Sequence, residues 1–174
     1  MGGVVQPTWS FECRRCRKTH DGVPLAWGAD APVYYYGIPE AERRPRCDLT
    51  PDTCVIDSQH FYVRGLLEIP VIDGPGPFAW IVWCSLSKEN FERALAIWAE
   101  PGRETEPPYF GWLSTVLPGY PNTLNLKTHV HTRKVGQAPF IEVEPTDHPL
   151  ALEQRNGIPM SRVQEIAERL LHSA

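Results

Sequence analysis

Cys13 and Cys16 stand two residues apart in FECRRCRKTH, and His20 follows four residues after the second cysteine. A C-x2-C turn presents two thiolates to one metal, and soft sulfur and imidazole donors in tetrahedral array suit zinc. One such pair needs long-range help, and His20, Cys47 and Cys54 are the remaining candidates. Arg14, Arg15, Arg17 and Lys18 flank the pair and would offset the charge of a thiolate-rich site. Structural zinc is therefore the leading expectation. An unmetallated thiol pair comes second. A redox-active dithiol comes last, because the pair has no βαβ pattern beside it. The fifth cysteine, Cys84, lies within FAWIVWCSL and reads as core packing.

A second group of candidates lies downstream. His129 and His131 form an HxH pair whose imidazoles project from one face of a strand, a spacing that metal sites use. With His148 and Glu153 these residues could outline an enzyme or small-ligand site around His131, His148 and Glu153. The simpler reading is a solvated charge ladder, since Lys127 and Arg133 share that face and Glu142 and Glu144 can oppose it. Tyr109, Phe110, Trp112 and Tyr120 read as packing ahead of a ligand pocket. No catalytic signature emerges, so the sequence favours a non-enzyme.

The elements that must carry these residues follow from periodicity. Ser87 suits a helix N-cap, and Phe91, Ala94, Leu95 and Trp98 then form one apolar stripe, ended by Pro101-Gly102. Near the carboxyl end, Ser161 and Gln164 fit a capping box, with Val163, Ile166, Ala167, Leu170 and Leu171 on one face. A short helix through Leu150–Gln154, capped by Thr146 or Asp147 and ended by Gly157, would hold His148 at its start. CVIDSQHFYVRG and LLEIPV are rich in strand formers, with a bend or bulge expected at Gly65. FAWIVWCSL is apolar on both parities and reads as a strand covered on both faces. LNLKTHVHTRKV and PFIEVEP suggest a hairpin with a four-residue loop, placing Val130 opposite Val143 and His131 opposite Glu142. Strands in runs with helices inserted favour an α+β fold: a mostly antiparallel sheet, two main helices and a loop-rich amino-terminal knuckle. One domain over 1–174 is expected, with the knuckle at about 9–53 packed on a core at about 54–172.

Composition narrows the function classes. The 174 residues carry a net charge of −4 with no basic stripe beyond RRCRK, which argues against nucleic-acid binding. No apolar run is long enough for a membrane helix. MGGVVQPTWSFEC lacks the basic and apolar regions of a signal peptide. Gly2 is placed for myristoylation, but Gln6 stands where Ser or Thr is wanted. A cytoplasmic address is expected, with a protein partner or a homo-oligomer possible. Five cysteines, an odd number, do not form a disulfide framework. The 18 prolines call for short elements joined by defined loops.

The pattern FxCxxC…H, together with DTCVIDSQHFYVRGLLEIPV, WCSLSKENFERALAIW, PPYFGWLSTVLPGYPNTLNLKTHVHTR and EPTDHPLALEQRNGI, resembles the bacterial domain of unknown function 2199 family over roughly residues 11–172. The resemblance implies no assigned activity. At the knuckle it implies Cys13, Cys16 and His20, with Cys54 in the aspartate-cysteine phrase as a further ligand. Many members carry glycine after the second cysteine, where this chain has Arg17.

Overall fold

A computed structural model describes residues 8–173; Gly2 and Gln6 lie outside them. The described residues open with an antiparallel pair, β1 (Thr8–Glu12) and β2 (Thr19–Pro24), joined by the cysteine turn. A short strand, β3 (Ala26–Gly28), leads into helices α1 (Val33–Tyr36) and α2 (Glu40–Arg46). Next come β4 (Cys47–Leu49), β5 (Thr53–Ile56) and two long strands, β6 (His60–Ile69) and β7 (Phe78–Leu86). Helix α3 (Lys88–Ala96) precedes β8 (Tyr109–Leu113), β9 (Lys127–His131) and β10 (Phe140–Val143). Helices α4 (Pro149–Asn156) and α5 (Met160–Leu171) complete the chain.

Strands β6, β7, β8, β9 and β10 close into a mixed barrel. Each pairs antiparallel with the next, and β10 returns to β6 in parallel at Phe140 and Leu66. A mostly antiparallel sheet with two main helices, expected from the sequence, is therefore corrected: the fold is α+β, with a closed five-stranded mixed barrel, sheet extensions at β3 and at β5–β4, and five short helices among the described residues. The closing contact joins residues 66 and 140 by one parallel step, and the in–out alternation of each strand is the same whether a sheet closes or stays open.

Paired residues from successive strands fill the barrel. Val63, Gly65, Leu67 and Ile69 oppose Cys84, Val82, Trp80 and Phe78, and Leu113, Val130, Ile141 and Val143 continue the packed interior. Cys84 belongs to this interior, where burial pushes its thiol up to about 12. Beside it, the Thr128 hydroxyl donates to the Gly111 carbonyl, so the buried polar group is satisfied. On the other face of β7, Trp83 packs with Ile38, Cys54, Ile56 and Tyr62. Both faces of FAWIVWCSL are thus covered, one by the barrel core and one by the α1 side.

Gly65 makes no bulge. Strand β6 pairs with β7 without interruption, and glycine is required because a β-carbon there would come within 2.6 Å of the Ile141 side chain and 2.9 Å of the Pro139 carbonyl. The β9–β10 register also differs from expectation by two residues. Val130 faces Ile141 and His131 faces Phe140, while the in–out parity is preserved. Arg103, 6% exposed, explains the longer loop. Its guanidinium donates to the carbonyls of Arg133, Lys134 and Gln137 and holds these residues out of the ladder.

Helix α3 begins as expected, with the Ser87 hydroxyl accepting from Asn90 N–H at 3.2 Å. The capping box for α5 does not form. Pro159 occupies the N-cap, and Asp73, from the β6–β7 loop, accepts from Met160 N–H at 2.7 Å. Gln164 instead donates to the Glu12 carbonyl, tying α5 to the knuckle.

Candidate metal centre

Sequence forces the knuckle into a tight turn. Cys13 N–H donates to the Lys18 carbonyl and Arg17 N–H to the Cys13 carbonyl, each at 2.9 Å. Reversing the chain within so few residues puts Arg17 at a φ of 61°, in the left-handed region that favours glycine. Both sulfurs then lie on one side of the turn. His20, on β2 opposite Phe11, comes in beside them.

The fourth member is His172, the C-cap of α5, which lies 159 positions beyond Cys13. One ligand atom from each of Cys13, Cys16, His20 and His172 falls within 4.8 Å of all the others. Cys13 Sγ is 3.2 Å from His172 Nε2, and Cys16 Sγ is 3.4 Å from His20 Nε2. Zinc–sulfur and zinc–nitrogen bonds of about 2.3 and 2.0 Å require tetrahedral edges of about 3.3–3.8 Å, so the donors have the spacing of a single tetrahedral ion. Cys13 is fully buried and the other three are half-buried. Burial raises the Cys13 thiol, but hydrogen bonds from the backbone N–H groups of Cys16 and Arg15 outweigh it and leave the thiol below its ordinary value, toward the thiolate a metal takes.

The group is framed from both sides. Glu168 of α5, itself buried, accepts from Arg14 N–H at 2.7 Å and from Gln164. Phe11, Cys13, Val23 and Ala167 form a small apolar cluster under the turn. The knuckle is thereby seated on the last two turns of α5 by apolar contact, an ion pair and backbone hydrogen bonds.

The structure brings Cys13, Cys16 and His20 together; Cys54 and Cys47 lie elsewhere. Cys54 is fully buried between β4 and β6 with Ile38, Tyr62 and Trp83, and burial pushes its thiol up to about 12. Cys47 lies at the edge of that same cluster. His172 escaped the sequence reading because nothing local marks it: a histidine at a helix C-terminus is common, and its partners lie at the other end of the chain.

His131, His148 and Glu153 serve three separate contacts. His131 Nε2 is 2.7 Å from Glu142 and His129 Nε2 is 3.3 Å from Glu144, all partly exposed, which makes the charge ladder. His148 itself is the N-cap of α4, its Nδ1 accepting from Leu150 N–H, in place of Thr146 or Asp147. Glu153 accepts from the Tyr120 hydroxyl and from Arg162, whose guanidinium stacks over the Tyr120 ring and locks that loop to α4 and α5.

Residues 12–158 match the family model described as an uncharacterized protein conserved in bacteria (DUF2199), and the chain belongs to that family. Cys13, Cys16 and His20 fall within the matched span, and His172 lies beyond it. No curated protein and no solved structure matches the chain.

Proposed function

We propose that the chain is a small zinc-stabilised structural or interaction protein, in which Cys13, Cys16, His20 and His172 hold one zinc ion that fastens the amino-terminal knuckle to the end of α5. The observation that carries this reading is the closed set of two sulfurs and two nitrogens at tetrahedral spacing. Four protein ligands leave no open position for water or substrate, which is the character of a structural site and not a catalytic one. Sulfur and imidazole in equal number favour zinc over the hard cations. When bound, the ion would link segments 159 positions apart, a constraint that acts mainly on the unfolded chain. No reaction is assigned to the protein. A cytoplasmic address remains part of the proposal, supported by the odd cysteine count.

Elemental analysis of freshly purified full-length protein should find one zinc per chain. His172→Ala should lose most of it, whereas Cys54→Ala should keep the full complement. Protein that is folded yet free of metal, or loss of zinc in the Cys54 variant with retention in the His172 variant, would overturn the assignment.

A further inference from the structure

Among the five cysteines, Cys13 and Cys16 alone share a turn and a group of ligand atoms lying within 4.8 Å of one another. The other three stand where an oxidant has least to act on. Cys54 and Cys84 are fully buried, and burial pushes each thiol up to about 12. Cys47 is half-buried, and burial raises its thiol as well. Oxidation of cysteine follows thiolate character and access. Both are concentrated at the knuckle when an ion is bound there, because a metal-bound sulfur is already deprotonated.

Access divides the pair. Cys13 is fully buried with Phe11, Val23 and Ala167, whereas Cys16 is half-buried at the edge of that cluster. Cys16 N–H lies 3.5 Å from Cys13 Sγ, so the turn folds one cysteine back onto the sulfur of the other. An oxidant arriving from solvent meets Cys16 first, and Cys13 waits behind it as the second thiol.

The seat of the knuckle on α5 depends on the ion only at its far end. The His20 and His172 rings lie 5.6 Å apart at 70°, and two imidazoles are half of a four-ligand site. Loss of both thiolates therefore removes what holds His172 to the turn. Arg14 N–H donating to Glu168, and Gln164 donating to the Glu12 carbonyl, need no ion. Both contacts lie about one helical turn or more before His172, so the body of α5 stays seated.

We infer that the cysteine–histidine group is a peroxide-responsive latch, in which a Cys13–Cys16 disulfide releases the zinc and frees the last turn of α5 from the knuckle. The inference rests on the zinc reading and adds regulation to that site. The Cys16 thiolate attacks one oxygen of hydrogen peroxide, forming an S–O bond as the O–O bond breaks, and the departing hydroxide takes a proton from solvent. The Cys13 thiolate then attacks Cys16 Sγ, forming the disulfide and expelling the second hydroxide, which is also protonated. Two thiolates are oxidised by two electrons while one peroxide is reduced to two waters. A dithiol reductant returns both electrons by thiol–disulfide exchange and restores the ligand pair.

The test treats zinc-loaded full-length protein with hydrogen peroxide. It reads zinc released to a chromogenic chelator, free thiols by alkylation and peptide mass, and amide exchange along α5. One zinc per chain should be released as two of the five thiols disappear into a Cys13–Cys16 disulfide. Exchange at Leu170 and Leu171 should quicken about tenfold while that of β7 is unchanged. Dithiothreitol with added zinc should reverse these changes. Cys54→Ala should respond like wild type, and His172→Ala should show fast exchange at Leu170 and Leu171 before peroxide with no further change after it. Zinc loss without the disulfide, oxidation at Cys47 with the pair intact, or unchanged exchange at the end of α5 would each overturn the inference. Zinc present at the start and retained through oxidation would overturn the latch alone. Absence of zinc before peroxide would overturn the zinc reading and the latch with it.

Discussion

Arg17 carries a cost that its position in the knuckle imposes. A φ of 61° places its β-carbon against the following carbonyl, which costs about 1–2 kcal/mol relative to glycine in the same conformation. Its N–H bond to the Cys13 carbonyl keeps it there. Arg17→Gly should therefore raise stability in chemical denaturation by about 1 kcal/mol, after the greater flexibility of unfolded glycine is set against the relieved strain. A loss of stability would show that the Arg17 side chain contributes more than its backbone costs. At this scale three members of the cysteine–histidine group are legible in FECRRCRKTH, because a cysteine turn and a nearby histidine are local features. His172 is not, since only the docking of α5 through Glu168 and Gln164 brings it to the turn. Cys54 looked equally suitable as a ligand by residue type, yet it faces the apolar cluster around Trp83.

Among the elements, α3 is fastened to β8 by one carboxylate. Glu106 accepts both prongs of Arg93 and the hydroxyl of Tyr109, each at 2.9 Å. The Arg93 hydrogen bonds, then that from Tyr109, hold the Glu106 carboxyl below its ordinary value of 4.5. A carboxylate with a depressed folded pKa stabilises the protein above the unfolded value, and the contribution is lost as pH falls through the folded value. Glu106→Gln should thus lower the Tm at neutral pH, and the gap from wild type should close as the solution is acidified below 4.5. A gap independent of pH would assign the effect to packing instead. Helices α3 and α5 were legible from their stripes, although Leu95 of the α3 stripe is exposed, and Ser87 was legible from its capping chemistry. The start of α5 was not, because Asp73 caps it from a distant loop and frees Gln164 for the knuckle. The hairpin shows the same division. Alternation defined which residues of β9 and β10 face inward, but the register moved by two because Arg103 draws the connecting loop away from the ladder.

The whole molecule is organised by barrel closure, and that closure passes through Gly65. Strand β10 pairs with β6 at Phe140 and Leu66, where Leu66 N–H donates to the Pro139 carbonyl at 2.8 Å, next to the position where any β-carbon would meet Ile141 and Pro139. Gly65→Ala should destabilise the protein by about 2 kcal/mol in denaturant unfolding, through overpacking at a seam whose backbone side cannot yield. Stability within experimental error of wild type would mean that the seam is looser than its contacts require. Closure is the part of the fold that the sequence concealed most fully. Apart from β7, which is covered on both faces, the barrel strands alternate as in a sheet with one buried face, and the parallel step between residues 66 and 140 has no local signature. The Cys13, Cys16, His20 and His172 group has the same long-range character, since it joins the turn between β1 and β2 to the end of α5. X-ray absorption at the zinc edge of the full-length protein tests this central claim most directly. The account predicts two sulfurs at about 2.3 Å and two nitrogens at about 2.0 Å, with one nitrogen lost in His172→Ala. A shell of three or four sulfurs, or a nitrogen count unchanged in that variant, would contradict it.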